Sequence, residues 1–283
     1  MTLTDYKTII KPDQDTQSVP MTAPQLEGTV MDRFQMHGKV TVITGAAGAI
    51  GGALAEGFAQ AGSHVAIMDY KYDPEIDERL SLTYGVKVQS YRADITNYEM
   101  VQDVIQLILS EFGQIDTFIA NAGVVWTTGS ILNEDSTVDN WKRVFDVNVH
   151  GTFNCAKVVG NYFKQRGSGS LIMTASMSGH IVNVPNYQTC YNASKAAVVH
   201  MGKSLAVEFA GFARVNTVSP GYTDTPLSSF VPTEQRAKWW GLTPMGREGL
   251  PQELVGAYLY LASDLATFTT GTDIRVDGGY TSV

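Results

Sequence analysis

The stretch KVTVITGAAGAIG, residues 39–51, decides the fold. After Lys39, residues 40–44 are all apolar or β-branched, which predicts a buried strand. A glycine-rich turn follows and leads into ALAEGFAQAG, residues 53–62, where apolar residues recur at helical spacing. Small residues between a strand and a helix let the backbone approach a phosphate at the helix N-terminus. The stretch therefore predicts a dinucleotide cradle, with an ordinary strand-to-helix turn as the alternative.

The same alternation of strand and helix recurs along the rest of the chain. Further strand candidates are HVAIMD, VKVQSYRAD, DTFIANAG, GSLIMTAS, RVNTVSPG and TDIRVDGG. Helical patterns such as YEMVQDVIQLILSEF and YNASKAAVVHMGKSLAVEF lie between them. Nearly continuous apolar strands that alternate with helices indicate a parallel sheet covered on both faces. We expect one α/β domain of the doubly wound, Rossmann-like type.

Composition and charge exclude several classes of protein. The 283 residues are 44% hydrophobic and 17% charged, which is typical of a globular domain with a real core. A net charge of −8 argues against nucleic acid as a partner. There is no apolar run of membrane-spanning length and no secretory pattern at the start, and the two cysteines suit a reducing compartment, so we expect a cytosolic protein without a membrane partner.

Two segments stand apart from the periodic pattern. Residues 1–35 contain three prolines and no clear period, which predicts an extended arm outside a catalytic domain at residues 36–283. Residues 223–249 are irregular and contain proline and tryptophan. We expect this second segment to be a small insertion that covers a substrate.

A tyrosine and a lysine suggest acid–base chemistry. Tyr191 and Lys195 are four residues apart in a strong helical pattern, so their side chains share a face. A nearby ammonium favours phenolate and lowers the pKa of a tyrosine. The pair alone is weak, because this spacing arises easily by chance in a chain with 13 tyrosines.

Several independent motifs occur together in one order. They are the TG-rich loop, Asn121-Ala122-Gly123, Asn148, Ser176, Tyr191-Asn192-Ala193-Ser194-Lys195 and Ser219-Pro220-Gly221. On these motifs the chain resembles the short-chain dehydrogenase/reductase family from about residue 39 to residue 279. The resemblance implies hydride transfer between a nicotinamide cofactor and a ketone or secondary alcohol. It also implies a homotetramer.

The resemblance assigns a role to each of four residues. Tyr191 would exchange the substrate proton, and Lys195 would lower its pKa and bind the nicotinamide ribose. Ser176 would orient the carbonyl, and Asn148 would hold a relay water. Ser178 is the alternative serine, because it has the family's commoner spacing of 13 residues to the tyrosine, whereas Ser176 lies 15 residues before it.

The glycine-rich turn and the later motifs predict the cofactor contacts. Asp69 ends the second strand, where a carboxylate can accept hydrogen bonds from the ribose hydroxyls. Ala49 stands where the family usually has glycine, which puts the path of the loop in question. The full set of expected contacts is Gly45, Ala47, Ile50, Gly51, Asp69, Asp94, Asn121, Ala122, Gly123, Tyr191, Lys195, Pro220, Gly221 and Thr223.

The structural alternatives for these contacts are simple. Asp69 is then a capping or loop aspartate, Asp94 caps the helix that begins near Asn97, and Pro220-Gly221 only makes a turn.

Asp69 also predicts the cofactor. A carboxylate at that position repels a 2′-phosphate, so we expect NAD(H) to be preferred over NADP(H). Lys71 argues the other way, since its ammonium can reach a phosphate. The five histidines show no close metal-ligand pair, so no metal is expected.

The substrate class rests on longer resemblances. TASMSGHIVNVP and KWWGLTPMGREG are similar to fungal carbonyl reductases grouped with L-sorbose reductases and NADP-linked mannitol dehydrogenases. This similarity implies a ketose–polyol pair or a more general ketone. Alternatives are an acyl-carrier or steroid substrate, a nucleotide-sensing regulator without catalysis, and a scaffold subunit.

Overall fold

The protein is built on a seven-stranded parallel sheet. The computed structural model describes residues 23–71, 74–226 and 231–283. The strands stand in the order β3-β2-β1-β4-β5-β6-β7. Their bounds are Val40–Thr44 (β1), His64–Asp69 (β2), Val88–Arg92 (β3), Thr117–Ala120 (β4), Ser170–Thr174 (β5), Arg214–Pro220 (β6) and Asp273–Val276 (β7).

Helices connect the strands and cover both faces of the sheet. They are Val30–Phe34 (α1), Ala49–Gln60 (α2), Pro74–Tyr84 (α3), Tyr98–Phe112 (α4), Val138–Phe145 (α5), Thr152–Arg166 (α6), Thr189–Glu208 (α7), Thr233–Leu242 (α8) and Pro251–Ala262 (α9). A π-helical segment, Asp146–Gly151, joins α5 to α6. The predicted doubly wound α/β fold is confirmed.

Alternate residues of each strand face opposite halves of the core. Val42 of β1 packs into the cluster formed with α4, α6 and α7. Its neighbour Ile43 packs into the cluster formed with α2, α3 and α9. In β4, Phe118 packs into the first of these clusters and Ile119 into the second. The strands therefore read as continuous apolar runs because both of their faces are covered.

The chain reverses its direction of winding between β3 and β4. Strands β2 and β3 extend the sheet on one side of β1, and β4 to β7 extend it on the other. The connections after β1 and β4 therefore leave the sheet toward opposite faces and open a crevice at the carboxyl ends of these two strands. Doubly wound folds bind their ligands at this switch point.

The two irregular segments are described in part. The first 22 residues lie outside the described residues, α1 contains no buried residue, and the buried Met36 donates its N–H to the carbonyl of Ala61 at 2.9 Å. Residues 223–249 include α8, whereas residues 227–230 lie outside the described part. The arm at 1–35, the domain at 36–283 and the covering role of 223–249 stay predictions. No helix in the described ranges is long and apolar enough to span a bilayer.

We predict that Gly51→Ala lowers the free energy of unfolding by about 1–3 kcal/mol through overpacking. A β-carbon at Gly51 would meet the Gly45 carbonyl and would lie 2.7 Å from the Ala46 α-carbon and 2.8 Å from the Asn121 amide nitrogen. Gly52→Ala is the matched control, because its β-carbon would lie 3.3 Å from the nearest heavy atom. The control should change stability by less than about 1 kcal/mol in urea unfolding. Equal losses for the two variants would contradict the packing of this turn.

Candidate active site

Four adjacent strands deliver the predicted site residues to one edge of the sheet. Gly45 directly follows β1, and Asn121 directly follows β4. Ser176 lies two residues beyond β5, and Gly221 directly follows β6. The carboxyl ends of parallel strands meet at one edge, so the topology brings these separate motifs together.

The turn after β1 is tied to the end of β4. Gly45 has φ +72°, and a β-carbon there would lie 2.7 Å from the Ala122 α-carbon. The Asn121 side-chain amide donates to the carbonyls of Thr44 at 3.1 Å and Gly45 at 3.3 Å. Only glycine fits this approach, and the Asn121 amide fixes the path of the turn.

Helix α2 begins directly after this turn. Gly48 is its N-cap residue in extended backbone, and Ala49 is the first helical residue. The methyl of Ala49 therefore stands in ordinary helical backbone, and its presence requires no unusual conformation. Ile50 and Gly51 follow in the first turn, where backbone N–H groups lack partners within the helix. Such a terminus suits a phosphate group.

The ammonium of Lys195 lies at the centre of the site. The residue is 4% exposed, and its Nζ donates to the Thr174 carbonyl at 2.8 Å. Nζ also lies 5.7 Å from the centre of the Tyr191 ring. A β-carbon on Gly123 would lie 3.4 Å from this Nζ and 3.2 Å from Asn148 Oδ1. Burial lowers the pKa of Lys195 to about 8.

Tyr191 and Ser176 meet across the start of α7. Burial raises the pKa of the Tyr191 phenol, and a hydrogen bond with the Ser176 side chain opposes that rise. Ser176 caps the short turn at residues 177–179, and its Oγ accepts the Ser178 N–H at 3.1 Å. Of the two candidate serines, Ser176 therefore interacts with the phenol. On balance the Tyr191 pKa is raised, because burial outweighs the hydrogen bond with Ser176.

Asn148 connects three elements from within the π-helical segment. Its Oδ1 accepts the Val124 N–H at 2.8 Å, and its Nδ2 donates to the Val124 carbonyl at 2.9 Å. The second Nδ2 hydrogen bond goes to Ser194 Oγ at 3.0 Å on α7. Asn148 thereby holds the loop after β4 against the helix that carries Tyr191. π-helical turns often occur where a side chain must be presented to a site.

The second and third strands end beside a cavity of about 370 Å³. Asp94 lines it together with Tyr70 and Arg92. The Asp94 carboxylate accepts the Thr96 N–H at 2.9 Å, whereas Asn97 itself caps α4. Asp94 therefore shapes the turn at the cavity and is not the N-cap residue of α4.

The residues after β6 close the opposite side of the site. A β-carbon on Gly221 would lie 2.6 Å from the Asp277 α-carbon, so Pro220-Gly221 passes tightly beneath the end of β7. The Thr223 hydroxyl donates to the Gly221 carbonyl at 3.1 Å. The structure thus shows the turn that Pro220-Gly221 makes, and the cofactor contacts of Pro220, Gly221 and Thr223 stay predictions.

A polar network that the sequence does not reveal lies behind Ser176. His180 Nε2 lies 2.9 Å from the buried carboxylate of Asp273 on β7. The same carboxylate accepts from Ser219 Oγ at 2.8 Å and from Thr217 Oγ1 at 2.5 Å. The network anchors the turn that Ser176 opens to the last two strands. No sequence signal joins His180 to Asp273, because 93 residues separate them.

No group of three or more histidine, cysteine, aspartate or glutamate side chains in the described ranges is placed to hold a metal ion.

Comparison with known proteins defines the family. A family model described as enoyl-(acyl carrier protein) reductase matches residues 45–281. The chain is 53% identical over 263 residues to a probable NADP-dependent mannitol dehydrogenase of Yarrowia lipolytica, with 93% of this chain and 94% of that protein covered. It is also 53% identical over 266 residues to a sorbose reductase of Candida albicans, with the same coverage.

A solved structure shows the same relationship. The crystal structure of an NADPH-dependent 3-quinuclidinone reductase from Rhodotorula rubra superposes with a TM-score of 0.88 at 45% identity, and the match covers 93% of this chain and 99% of that one. The chain therefore belongs to the short-chain dehydrogenase/reductase family. It is an oxidoreductase that transfers a hydride between a nicotinamide cofactor and a ketone or secondary alcohol.

The NAD(H) preference predicted from Asp69 is wrong. The Yarrowia relative and the Rhodotorula structure are named as NADP-dependent and NADPH-dependent. The physical reason lies in the partners of the carboxylate, whose two oxygens accept the N–H groups of Ala47 and Lys71, each at 2.9 Å. The prediction treated Asp69 as a free acceptor for ribose, whereas the protein's own backbone binds both of its oxygens.

We predict that the stability of the wild type rises relative to Lys195→Met between pH 8 and pH 10. The unfolded chain holds the Lys195 proton up to about pH 10.5, whereas burial lowers the folded pKa to about 8. Between these pH values the unfolded state binds one more proton than the folded state. The free energy of unfolding therefore rises with pH, by about 2 kcal/mol over this interval.

Urea unfolding at pH 8, 9 and 10 measures this change. The exposed Lys203 on the same helix supplies the control, and Lys203→Met should keep the wild-type slope. If the free energies of unfolding of the wild type and of Lys195→Met changed with pH in parallel, the burial of the Lys195 ammonium would be wrong.

Proposed function

We propose that this protein is an NADP(H)-dependent reductase of ketoses that also oxidises the corresponding polyols. The observation that carries the proposal is the meeting of Tyr191, Ser176 and Lys195 beside the glycine-rich turn. The names of the Yarrowia and Candida relatives support this substrate class, since one is a mannitol dehydrogenase and the other a sorbose reductase. Both matches cover nearly the whole chain.

The residues around the crevice fit a dinucleotide. A β-carbon at Gly45 or Gly51 would collide with the turn or with the end of β4, so these glycines keep the turn narrow beside Asn121. The first turn of α2 offers N–H groups for the diphosphate, and Lys195 lies where the nicotinamide ribose is expected. When bound, the cofactor supplies the hydride that reduces the carbonyl carbon.

The protein's own residues handle the proton and the carbonyl oxygen. Tyr191 donates its phenolic proton to the oxygen as the carbonyl carbon accepts the hydride, and the product is the alcohol. Ser176 donates a hydrogen bond to the same oxygen and holds it in line with the phenol. Lys195 stabilises the resulting phenolate, because its ammonium lies 5.7 Å from the ring centre.

Asn148 would hold the water through which a proton returns to the site. Both Nδ2 hydrogens of Asn148 are used, on the Val124 carbonyl and Ser194 Oγ, whereas Oδ1 accepts only the Val124 N–H in the described structure. A carbonyl-type oxygen can accept two hydrogen bonds. The second acceptor position of Oδ1 suits a water that passes a proton toward Lys195. Asn148 Oδ1 and Lys195 Nζ both lie close to Gly123, at 3.2 Å and 3.4 Å from where its β-carbon would be.

The neighbouring cavity suits a neutral polyhydroxylated substrate. It has a volume of about 450 Å³, and the residues around it include Trp126, Asn186, Gln188 and Gln235. Trp126, on the wall of this cavity, packs in the same hydrophobic cluster as Tyr191. The residues that the structure shows around the cavity are uncharged, and their amides can donate to and accept from sugar hydroxyls.

Two stacked aromatic rings support this wall indirectly. Tyr222 and Trp239 stack with ring centres 4.3 Å apart. Trp239 Nε1 and Gln235 Nε2 both approach Asn186 Oδ1, at 3.4 Å and 2.9 Å. Helix α8 thus holds Asn186 in place at the cavity.

A substrate and cofactor screen tests the proposed function. L-sorbose and D-fructose should be reduced with NADPH at a higher kcat/KM than with NADH. Mannitol and sorbitol should be oxidised with NADP⁺. A gluconate-type keto acid, a steroid ketone and an enoyl thioester are the matched alternatives, and each should be a poorer substrate. Faster turnover of an enoyl thioester, or of any substrate with NADH, would overturn the corresponding half of the proposal.

We predict that Tyr191→Phe lowers kcat by at least about a hundredfold, the lower end of the effect of losing a general acid. NADPH affinity, measured by fluorescence titration, should change little because the ring remains. Tyr260→Phe is the control. The Tyr260 hydroxyl pairs with the Thr269 hydroxyl in the connection between α9 and β7, so this variant should keep wild-type kcat. A Tyr191→Phe enzyme that retains a tenth of wild-type turnover would remove the tyrosine from its role.

The homotetramer stays a prediction from the family resemblance, and the cytosolic location stays a prediction from the sequence.

A further inference from the structure

The end of β3 brings an arginine next to Asp69. Strands β2 and β3 pair in parallel, and Asp69 is the register partner of Arg92. Both residues stand at the carboxyl ends of their strands, and β3 is the edge strand of the sheet. A guanidinium therefore accompanies the carboxylate at the place where the adenosine ribose of a dinucleotide is expected.

The Asp69 carboxylate is engaged within the protein. One oxygen accepts the Ala47 N–H of the glycine-rich turn, and the other accepts the Lys71 N–H, each at 2.9 Å. Two backbone donors offset part of the negative charge that the carboxylate presents to a ligand. Asp69 thus closes the turn, and a neighbouring anion meets less repulsion than a free carboxylate would exert.

The Arg92 guanidinium is exposed and oriented by an aromatic ring. Its Cζ lies 5.5 Å from the centre of the Tyr70 ring, which is a cation–π contact. Within residues 23–71, 74–226 and 231–283 no carboxylate oxygen lies within 4.0 Å of it, whereas Arg79, on helix α3, pairs with Glu56 at 3.3 Å. Arg92 and Tyr70 both line the cavity of about 370 Å³ that Asp94 also borders.

We propose that Arg92 binds the 2′-phosphate of NADP(H) and that Tyr70 holds its guanidinium for this contact. The proposal rests on the NADP(H) dependence given under the proposed function. A planar guanidinium donates two parallel hydrogen bonds to a phosphate, and its charge persists at all working pH values. Contact with the Tyr70 ring limits the motion of the side chain before the phosphate arrives.

Lys71 is the competing cation. It follows Asp69 by two residues, and its N–H is bound to the carboxylate. Its ammonium sits on a flexible chain and offers a point charge, whereas the Arg92 fork is oriented by Tyr70. The two residues therefore make different predictions for substitution.

Calorimetric titration with two probes separates them. The probes are ADP-ribose and 2′-phospho-ADP-ribose, which differ only in the 2′-phosphate and carry no nicotinamide. The wild type should bind the phosphorylated probe more tightly. Arg92→Leu should weaken that binding by about ten- to a hundredfold, the range for hydrogen bonds to a charged group, and should change ADP-ribose affinity less than about twofold. Arg92→Lys should fall between the wild type and Arg92→Leu.

Lys71→Leu is the matched control and should change neither affinity by more than about threefold. A larger loss of the phosphorylated probe in Lys71→Leu than in Arg92→Leu would overturn the proposal and leave NADP(H) dependence intact. Equal weakening of both probes in Arg92→Leu would assign the arginine to the adenine and would also overturn it. A wild type that binds ADP-ribose more tightly would instead reject the NADP(H) dependence itself.

Discussion

The hydrogen bond from the buried ammonium of Lys195 to the Thr174 carbonyl holds the site together. A buried cation is costly unless it is paired or hydrogen-bonded, and here the cost is met at the carboxyl end of β5. Thr174 also links its hydroxyl to Asn121 Oδ1 at 3.1 Å and to the Tyr258 hydroxyl at 2.7 Å. Asn121 in turn fixes the carbonyl of Gly45 in the cofactor turn. A continuous set of hydrogen bonds thus runs from the proposed acid–base pair to the proposed phosphate cradle.

This arrangement explains why the sequence predicts the fold and much of the site. Strands buried on both faces read as apolar runs, so their existence and parallel pairing follow from periodicity alone. Motifs that follow such strands must meet at one edge of the sheet, which places Gly45, Asn121 and Ser176 together. Tyr191 and Lys195 share a helix face because they are four residues apart. These inferences need only local pattern and topology.

Other features depend on register and on tertiary partners, which the sequence does not display. Arg92 lies beside Asp69 only because β3 pairs with β2 in this register, which the sequence alone does not show. The backbone partners of Asp69 were equally hidden, and the expected NAD(H) preference failed for that reason. The contact between His180 and Asp273 joins segments that are far apart in the chain. A carboxylate at the end of the second strand is therefore an incomplete signal until its hydrogen-bond donors are known.

The proposed reaction delivers a hydride to a ketose carbonyl at the edge of the sheet where Tyr191 and Ser176 meet. NADPH labelled with deuterium at C4, prepared as each of the two stereoisomers, tests this step most directly. With L-sorbose as substrate, we expect deuterium from one stereoisomer only, and we expect it on the carbon that was the carbonyl. Deuterium appearing in solvent, on another carbon, or equally from both stereoisomers would contradict direct transfer within an ordered site.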